Sequence, residues 1–212
     1  MARDVQDHFF REAKRQGYLS RAAFKLIEID DRKRVLRKGA AVLDCGAAPG
    51  SWTQISLKRI GRAGRVVAID LQPIRAQGDD RLKSLQGDFT TMSPEELLEC
   101  IAGGSNGKTT ATRMFDVVLS DMAPSTTGDR LIDHYGSIRL CEAVLDRAAD
   151  VLRPGGKLVI KAFEGEAYPG LLQRCKTVFK TVKGFRPKAS RNESTEMFIV
   201  AEDFAPGAGE TG

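Results

Sequence analysis

From residue 41 onward, short aliphatic and β-branched runs alternate with stretches of helical periodicity, and this alternation restricts the chain to a mostly parallel sheet joined by helical crossovers. The spacing predicts seven strands, at 41–45, 65–70, 84–88, 115–121, 157–163, 181–185 and 196–202, with helices at 51–60, 94–101, 131–152 and 169–179 on both faces of the sheet. Ser93, Pro94 and Glu96 form a capping-box start for the second of these helices, and Pro154-Gly155-Gly156 is expected to end the third. The last two strands are separated by an irregular stretch, 186–195, too short for a parallel return, so the last strand is expected to run antiparallel.

Residues 1–38 read as one or two helices packed beside the sheet, 103–112 as a surface loop and 206–212 as a flexible tail, leaving one domain over 1–205. A chain of 212 residues buries a sizeable core without disulfides or metals. Its four cysteines, Cys45, Cys100, Cys141 and Cys175, contain no Cys-x-x-Cys pair, which argues against a zinc knuckle or disulfide frame. No apolar run approaches the roughly 20 residues of a membrane helix, and the N-terminus lacks the pattern of a secretory signal, so a cytoplasmic chain is expected.

The net charge of +5 is concentrated in two places. Residues 1–38 carry eleven Lys and Arg against six acids, and 167–192 carry seven basic residues and no acid. Two basic clusters bracketing the middle of the chain are the electrostatic footprint of a phosphate-backbone ligand.

The first chemical motif is Leu43-Asp44-Cys45-Gly46-Ala47-Ala48-Pro49-Gly50-Ser51-Trp52, a strand that runs through a small-residue turn into a helix. In an open α/β sheet such a turn lies at the carboxyl end of the first strand, where glycines let backbone approach a ligand. Its proline makes a dinucleotide pyrophosphate cradle the weaker reading. Asp70, some twenty residues on at the end of the second strand, is placed to accept hydrogen bonds from ribose hydroxyls, and Asp88, ending the third, to meet an adenine amine. Either aspartate alone is also an ordinary strand-end turn residue; both behind this loop point to a nucleoside. A competing motif, Ala102-Gly103-Gly104-Ser105-Asn106-Gly107-Lys108-Thr109, resembles a phosphate-binding loop but follows a helix instead of a strand, which is the wrong context.

Four ionisable residues form a second constellation. Asp121 ends the fourth strand in Ser120-Asp121-Met122-Ala123-Pro124, and Lys161 interrupts the apolar fifth strand Leu158-Val159-Ile160-Lys161-Ala162-Phe163. A lysine there either finds carboxylate partners or loses its proton more easily, and both outcomes are typical of working sites. Lys25 lies in the apolar-flanked segment Ala22-Ala23-Phe24-Lys25-Leu26-Ile27, and Glu196 opens the last strand. Singly, Lys25 reads as a snorkelling helix lysine and Glu196 as a solvated strand end.

Four segments in order, Ser20-Arg21-Ala22-Ala23-Phe24-Lys25-Leu26, Leu43 to Trp52, Ser120 to Pro124 and Val159-Ile160-Lys161, closely resemble the signatures of the FtsJ/RrmJ family of ribosomal RNA ribose 2′-O-methyltransferases. The resemblance covers nearly the whole chain and implies a Rossmann-like methyltransferase fold that binds S-adenosyl-L-methionine. It implies a Lys-Asp-Lys-Glu tetrad at Lys25, Asp121, Lys161 and Glu196, and a cofactor site at Gly46, Gly50, Trp52, Asp70, Asp88 and Asp121, with no metal. Two departures stand out: Ser51 where many members carry a second glycine, and the insertion-like loop 103–112. Glu193, three residues before Glu196, is a rival for the fourth tetrad position; the Met-Phe-Ile-Val strand that follows favours Glu196.

The activity so implied is methylation of a uridine ribose in large-subunit (23S) rRNA, on the assembled large ribosomal subunit, by a monomer that makes basic contacts from 1–38 and 167–192. The alternatives are a ribose methyltransferase of the transfer RNA anticodon loop, and a non-catalytic RNA-binding ribosome assembly factor.

Overall fold

The computed structural model describes residues 2–102, 114–190 and 195–205. Two helices, α1 (Ala2–Arg15) and α2 (Ala22–Lys33), precede β1 (Ala41–Cys45), α3 (Ser51–Ile60), β2 (Arg65–Asp70), β3 (Leu82–Gln86) and α4 (Pro94–Ala102). Then follow β4 (Phe115–Ser120), α5 (Arg130–Val151), β5 (Leu152–Phe163), α6 (Tyr168–Val178), β6 (Phe179–Phe185) and β7 (Glu196–Phe204). The seven strands form one sheet in the order β3-β2-β1-β4-β5-β7-β6, parallel from β3 to β5, with β7 antiparallel to both its neighbours.

Strand alternation sorts the core into two layers. Leu43, Cys45, Val118, Leu158 and Ile160 pack against α4, α5 and α6, whereas Val42, Leu119, Val159, Phe198 and Val200 face α2 and α3. β1, β2 and β4 are buried almost end to end, as central strands covered on both faces must be. The order reverses between β1 and β4, so the crevice of the switch point opens at their carboxyl ends.

Local signals behave as their chemistry requires. The Ser93 amide donates to Glu96 Oε2 at 2.8 Å while the Glu96 amide donates to Ser93 Oγ at 3.2 Å, a reciprocal capping box. The Asp129 carboxylate caps α5 by accepting from the amides of Leu131 and Ile132. All four cysteines are free thiols. Among the described residues, no helix is long and apolar enough to cross a membrane.

Several boundaries depart from the sequence expectation, three of them near the site or its sheet neighbours. The third strand covers Leu82–Gln86, not 84–88, so Asp88 stands two residues past its end. Pairing with β2, Val66 to Leu82 through Asp70 to Gln86, sets that register. The fourth strand ends at Ser120, leaving Asp121 just beyond it. Strand β5 begins at Leu152, with Pro154-Gly155-Gly156 inside its span instead of before it. Phe115 pairs with Leu152 and Val117 with Lys157, so residues 153–156 bulge out opposite Asp116. The Asp116 carboxylate, accepting from the Ala41 amide at 2.8 Å and Arg153 Nε at 2.5 Å and from Arg37, holds this bulge against β1. The expected loop 103–112 and tail 206–212, together with Arg191 and Glu193, lie outside the described residues.

Candidate active site

The turn after β1 is pinned from two sides. The amides of Gly46 and Ala47 both donate to the Ile69 carbonyl of β2, at 2.9 and 3.1 Å. Gly46 has φ of 70°, and a Cβ there would stand 2.5 Å from Met122 Cγ and 2.9 Å from the Met122 backbone, so a larger residue is excluded on both counts. Beside this turn a cleft of about 410 Å³ opens at the carboxyl ends of β1 to β4, with Gly46, Asp70, Asp88, Phe89, Asp121 and Met122 in its walls.

The lining fits an adenosine-containing group. Asp70 accepts from the Ala48 amide at 2.9 Å through one oxygen and from the Gln72 amide at 2.8 Å through the other, which fixes the carboxylate and leaves each oxygen a further lone pair. Asp88 accepts from the Thr90 amide and hydroxyl at 2.9 and 2.7 Å through Oδ1 alone. Ile69, Phe89 and Met122 supply an apolar wall between these carboxylates, and the buried Asp121 Oδ1 accepts no aligned hydrogen bond.

Gly50 and Trp52 are not in this wall. A Cβ on Gly50 would meet Ala76 Cβ at 2.7 Å, so the glycine serves the packing of the loop against the segment after β2. The Trp52 indole, 2 % exposed, donates from Nε1 to the Ala22 carbonyl at 2.9 Å and packs on Phe198 with ring centroids 5.6 Å apart. Its side chain joins α3 to α2 and the sheet.

The four ionisable residues do converge. Lys161 Nζ stands 2.9 Å from Asp121 Oδ1, outside hydrogen-bond alignment, and donates to the Asp121 carbonyl. β4 and β5 are neighbours with Ser120 opposite Ile160, which brings the two residues together. Lys25 Nζ donates to Glu196 Oε2 at 2.6 Å. Both pairs are linked by Phe198, which lies opposite Lys161 in the β5–β7 ladder, two residues after Glu196 on the same face, with Lys25 Nζ 5.7 Å from its ring centroid. Lys25, Lys161 and Glu196 are each under 9 % exposed, and each finds an oppositely charged partner, as buried charges must.

Two participants escape the sequence reading. Asp44, fully buried on β1, accepts from Thr53 Oγ1 at 2.6 Å, while its other oxygen has no partner. Burial pushes its carboxyl up to about 7 against the Thr53 hydrogen bond, helped by the neighbouring Asp121 and Asp70 carboxylates. A charged residue inside the apolar run Ala41-Val42-Leu43-Asp44-Cys45 is the same signal that marks Lys161, and could have identified it. Ser190, which donates to Glu196 Oε1 at 2.8 Å, carries no such signal.

The model of the family described as FtsJ-like methyltransferase matches residues 18–204. The chain belongs to the FtsJ-like methyltransferase family. It is a methyltransferase, and S-adenosylmethionine is the cofactor of its family. Proteins named ribosomal RNA large subunit methyltransferase E from Methanothermobacter thermautotrophicus and Syntrophobacter fumaroxidans are 40% and 42% identical to it. Each alignment spans 94% of this chain, and 90% and 96% of the respective relative. Among solved structures, a putative ribosomal RNA methyltransferase from Plasmodium falciparum superposes with a TM-score of 0.75 at 27% identity, over 88% of this chain and 98% of that one. Fibrillarin from Aeropyrum pernix, solved with bound S-adenosyl-L-methionine, shares the fold at 16% identity with a TM-score of 0.58, over 85% of this chain and 73% of its own.

Proposed function

We propose that the protein transfers a methyl group from S-adenosylmethionine to a uridine ribose 2′-hydroxyl of large-subunit ribosomal RNA, on the assembled subunit in the cytoplasm. The observation that carries this reading is the pair of buried ion pairs, Lys161 with Asp121 and Lys25 with Glu196, gathered around Phe198, with Asp121 also in the wall of the cleft beside the Gly46 turn. The relatives named for large-subunit ribosomal RNA, aligned over almost their whole length, supply the substrate class.

When bound, S-adenosylmethionine supplies a methyl group activated by a sulfonium. Asp70 holds ribose hydroxyls and Asp88 the adenine edge, with Gly46 admitting the cofactor close to the backbone. Asp121, in the cleft wall and ion-paired to Lys161, sets the amine at the boundary between cofactor and substrate. Lys161, an ammonium held by Asp121, would donate a hydrogen bond to the RNA 2′-oxygen and turn it in line towards the methyl group that S-adenosylmethionine would supply, while the hydroxyl proton leaves to water. Lys25 adds positive charge where the developing alkoxide forms, and Glu196 orients Lys25. Positioning supplies most of the acceleration.

The RNA backbone runs over the basic face beside α2. Arg32 lies over the Phe185 ring at 5.4 Å and the Lys188 amide donates to Glu28 at 2.7 Å, so both basic segments meet there. The test is transfer of labelled methyl to methylation-deficient large subunits, free ribosomal RNA and bulk transfer RNA, followed by nucleoside mapping. Ribose label on the large subunit, lost in Lys161→Ala, is expected. Label confined to transfer RNA overturns the substrate, and no label with cofactor bound overturns the catalytic role.

A further inference from the structure

A second cleft, of about 460 Å³, lies between the start of α5 and the segment that follows β5. Its floor is held rigid. The Ala167 amide donates to His134 Nε2 at 3.1 Å, so that nitrogen is an acceptor, and Nδ1 carries the proton it gives to the Phe163 carbonyl at 2.9 Å. Gly165 lies flat on this imidazole, since a Cβ there would be 2.7 Å from three ring atoms. The Glu164 amide donates to the Thr195 carbonyl at 2.7 Å, tying the floor to the start of β7.

The wall on the α5 side has a different character. Leu131, which lines the cleft, is 57 % exposed, and its helix neighbours Ile132 and Tyr135 are 56 % and 41 % exposed, an unusual density of open apolar surface for the first turns of a helix. Among the described residues, the exposed Glu164 carboxylate and Arg130 guanidinium have no partner, whereas Asp133 is occupied by Thr127 and Gly128 and Glu166 by Tyr135. Excess carboxylate repels a phosphate but accepts from an N–H donor on a flat, partly apolar ligand.

Position decides what that ligand is. Phe163 and Thr195 line this cleft; Phe163 is two residues past Lys161 and pairs with Glu196, and Thr195 precedes Glu196. The cofactor cleft reaches the same centre from the other side through Asp121. Each cleft is thus lined by a neighbour of the Lys161 centre, Asp121 in one and Phe163 with Thr195 in the other, so a nucleotide with its base in the second can direct its 2′-hydroxyl towards Lys161.

We propose that this cleft holds the base of the nucleotide whose ribose is methylated, its apolar face against Leu131 and a ring N–H donated to the Glu164 carboxylate, which selects uracil or guanine. The proposal rests on the assignment of Lys161 and Asp121 as the centre of methyl transfer to RNA.

The experiment measures methyl transfer to methylation-deficient large subunits by the wild-type chain, Lys161→Ala, Leu131→Ala, Glu164→Ala and Glu164→Gln, with cofactor affinity and thermal midpoint for each. Glu164→Ala and Leu131→Ala are expected to lower kcat/KM about tenfold or more, with unchanged cofactor Kd and midpoint. Glu164→Gln, whose amide oxygen still accepts, is expected to retain more activity than Glu164→Ala. Wild-type kcat/KM in both alanine variants overturns the base site while leaving the methyl-transfer reading intact, provided Lys161→Ala is inactive. Wild-type protein that binds cofactor and labels no subunit overturns that reading and this proposal with it.

Discussion

Lys25 and Glu196 are 171 residues apart in the chain, yet Nζ and Oε2 meet at 2.6 Å where each side chain is no more than 10 % exposed. A pair so placed joins α2 to the last strand as well as serving the site. Removing one partner leaves an uncompensated buried charge, so Glu196→Ala is expected to cost about 3–5 kcal/mol in urea unfolding. Lys25→Met with Glu196→Leu, apolar replacements at both positions, is expected to recover most of that stability and none of the methyl transfer. Recovery of activity in the double variant would show that the pair is only structural.

Asp70 and Trp52 separate cofactor binding from packing. Asp70→Ala deletes a carboxylate fixed in the cleft wall and is expected to weaken S-adenosylmethionine binding by roughly 10- to 100-fold, read by calorimetry. Trp52→Phe deletes the hydrogen bond to the Ala22 carbonyl and is expected to cost about 1–3 kcal/mol of stability with little change in cofactor affinity.

Asp44 predicts an unusual pH dependence. Its carboxyl is raised from the ordinary 3.8 to about 7 in the folded chain, so between these values the folded chain holds a proton that the unfolded chain has released. Its contribution to stability is full below about pH 4, falls as pH rises towards 7 and levels off above. Between pH 5 and 8 this amounts to about 2–3 kcal/mol, and Asp44→Asn is expected to flatten that part of the profile of urea midpoints. An unchanged profile in the variant would place the titration elsewhere.

Lys183 lies on the same face of β6 as Phe185, which Arg32 covers, so it extends the basic surface next to α2. Lys183→Ala is expected to weaken binding to large subunits regardless of sequence and to reduce the slope of log affinity against log salt by about 1. Arg174 is already engaged by Glu142 and Asp146, and its alanine variant is expected to leave that slope unchanged.

The sequence alone determined the seven strands, the parallel order of crossovers, the antiparallel last strand and the family, because these depend on short-range periodicity, connection length and motifs of a few adjacent residues. It misplaced the third strand by two residues and started the fifth only after Pro154-Gly155-Gly156, because register and bulges are set by the partner strand: β2 in one case, Asp116 with β1 and β4 in the other. Only the tertiary structure decided that Trp52 packs in the core, that Ser190 supports Glu196, and that Asp44 lies fully buried beside Asp121. It alone brought Lys25 to Glu196 and set a second cleft against Phe163 and Thr195. Those relationships depend on how distant elements share one low-dielectric interior, where a charge must find its partner through space, and no local pattern along the chain encodes which partner that is.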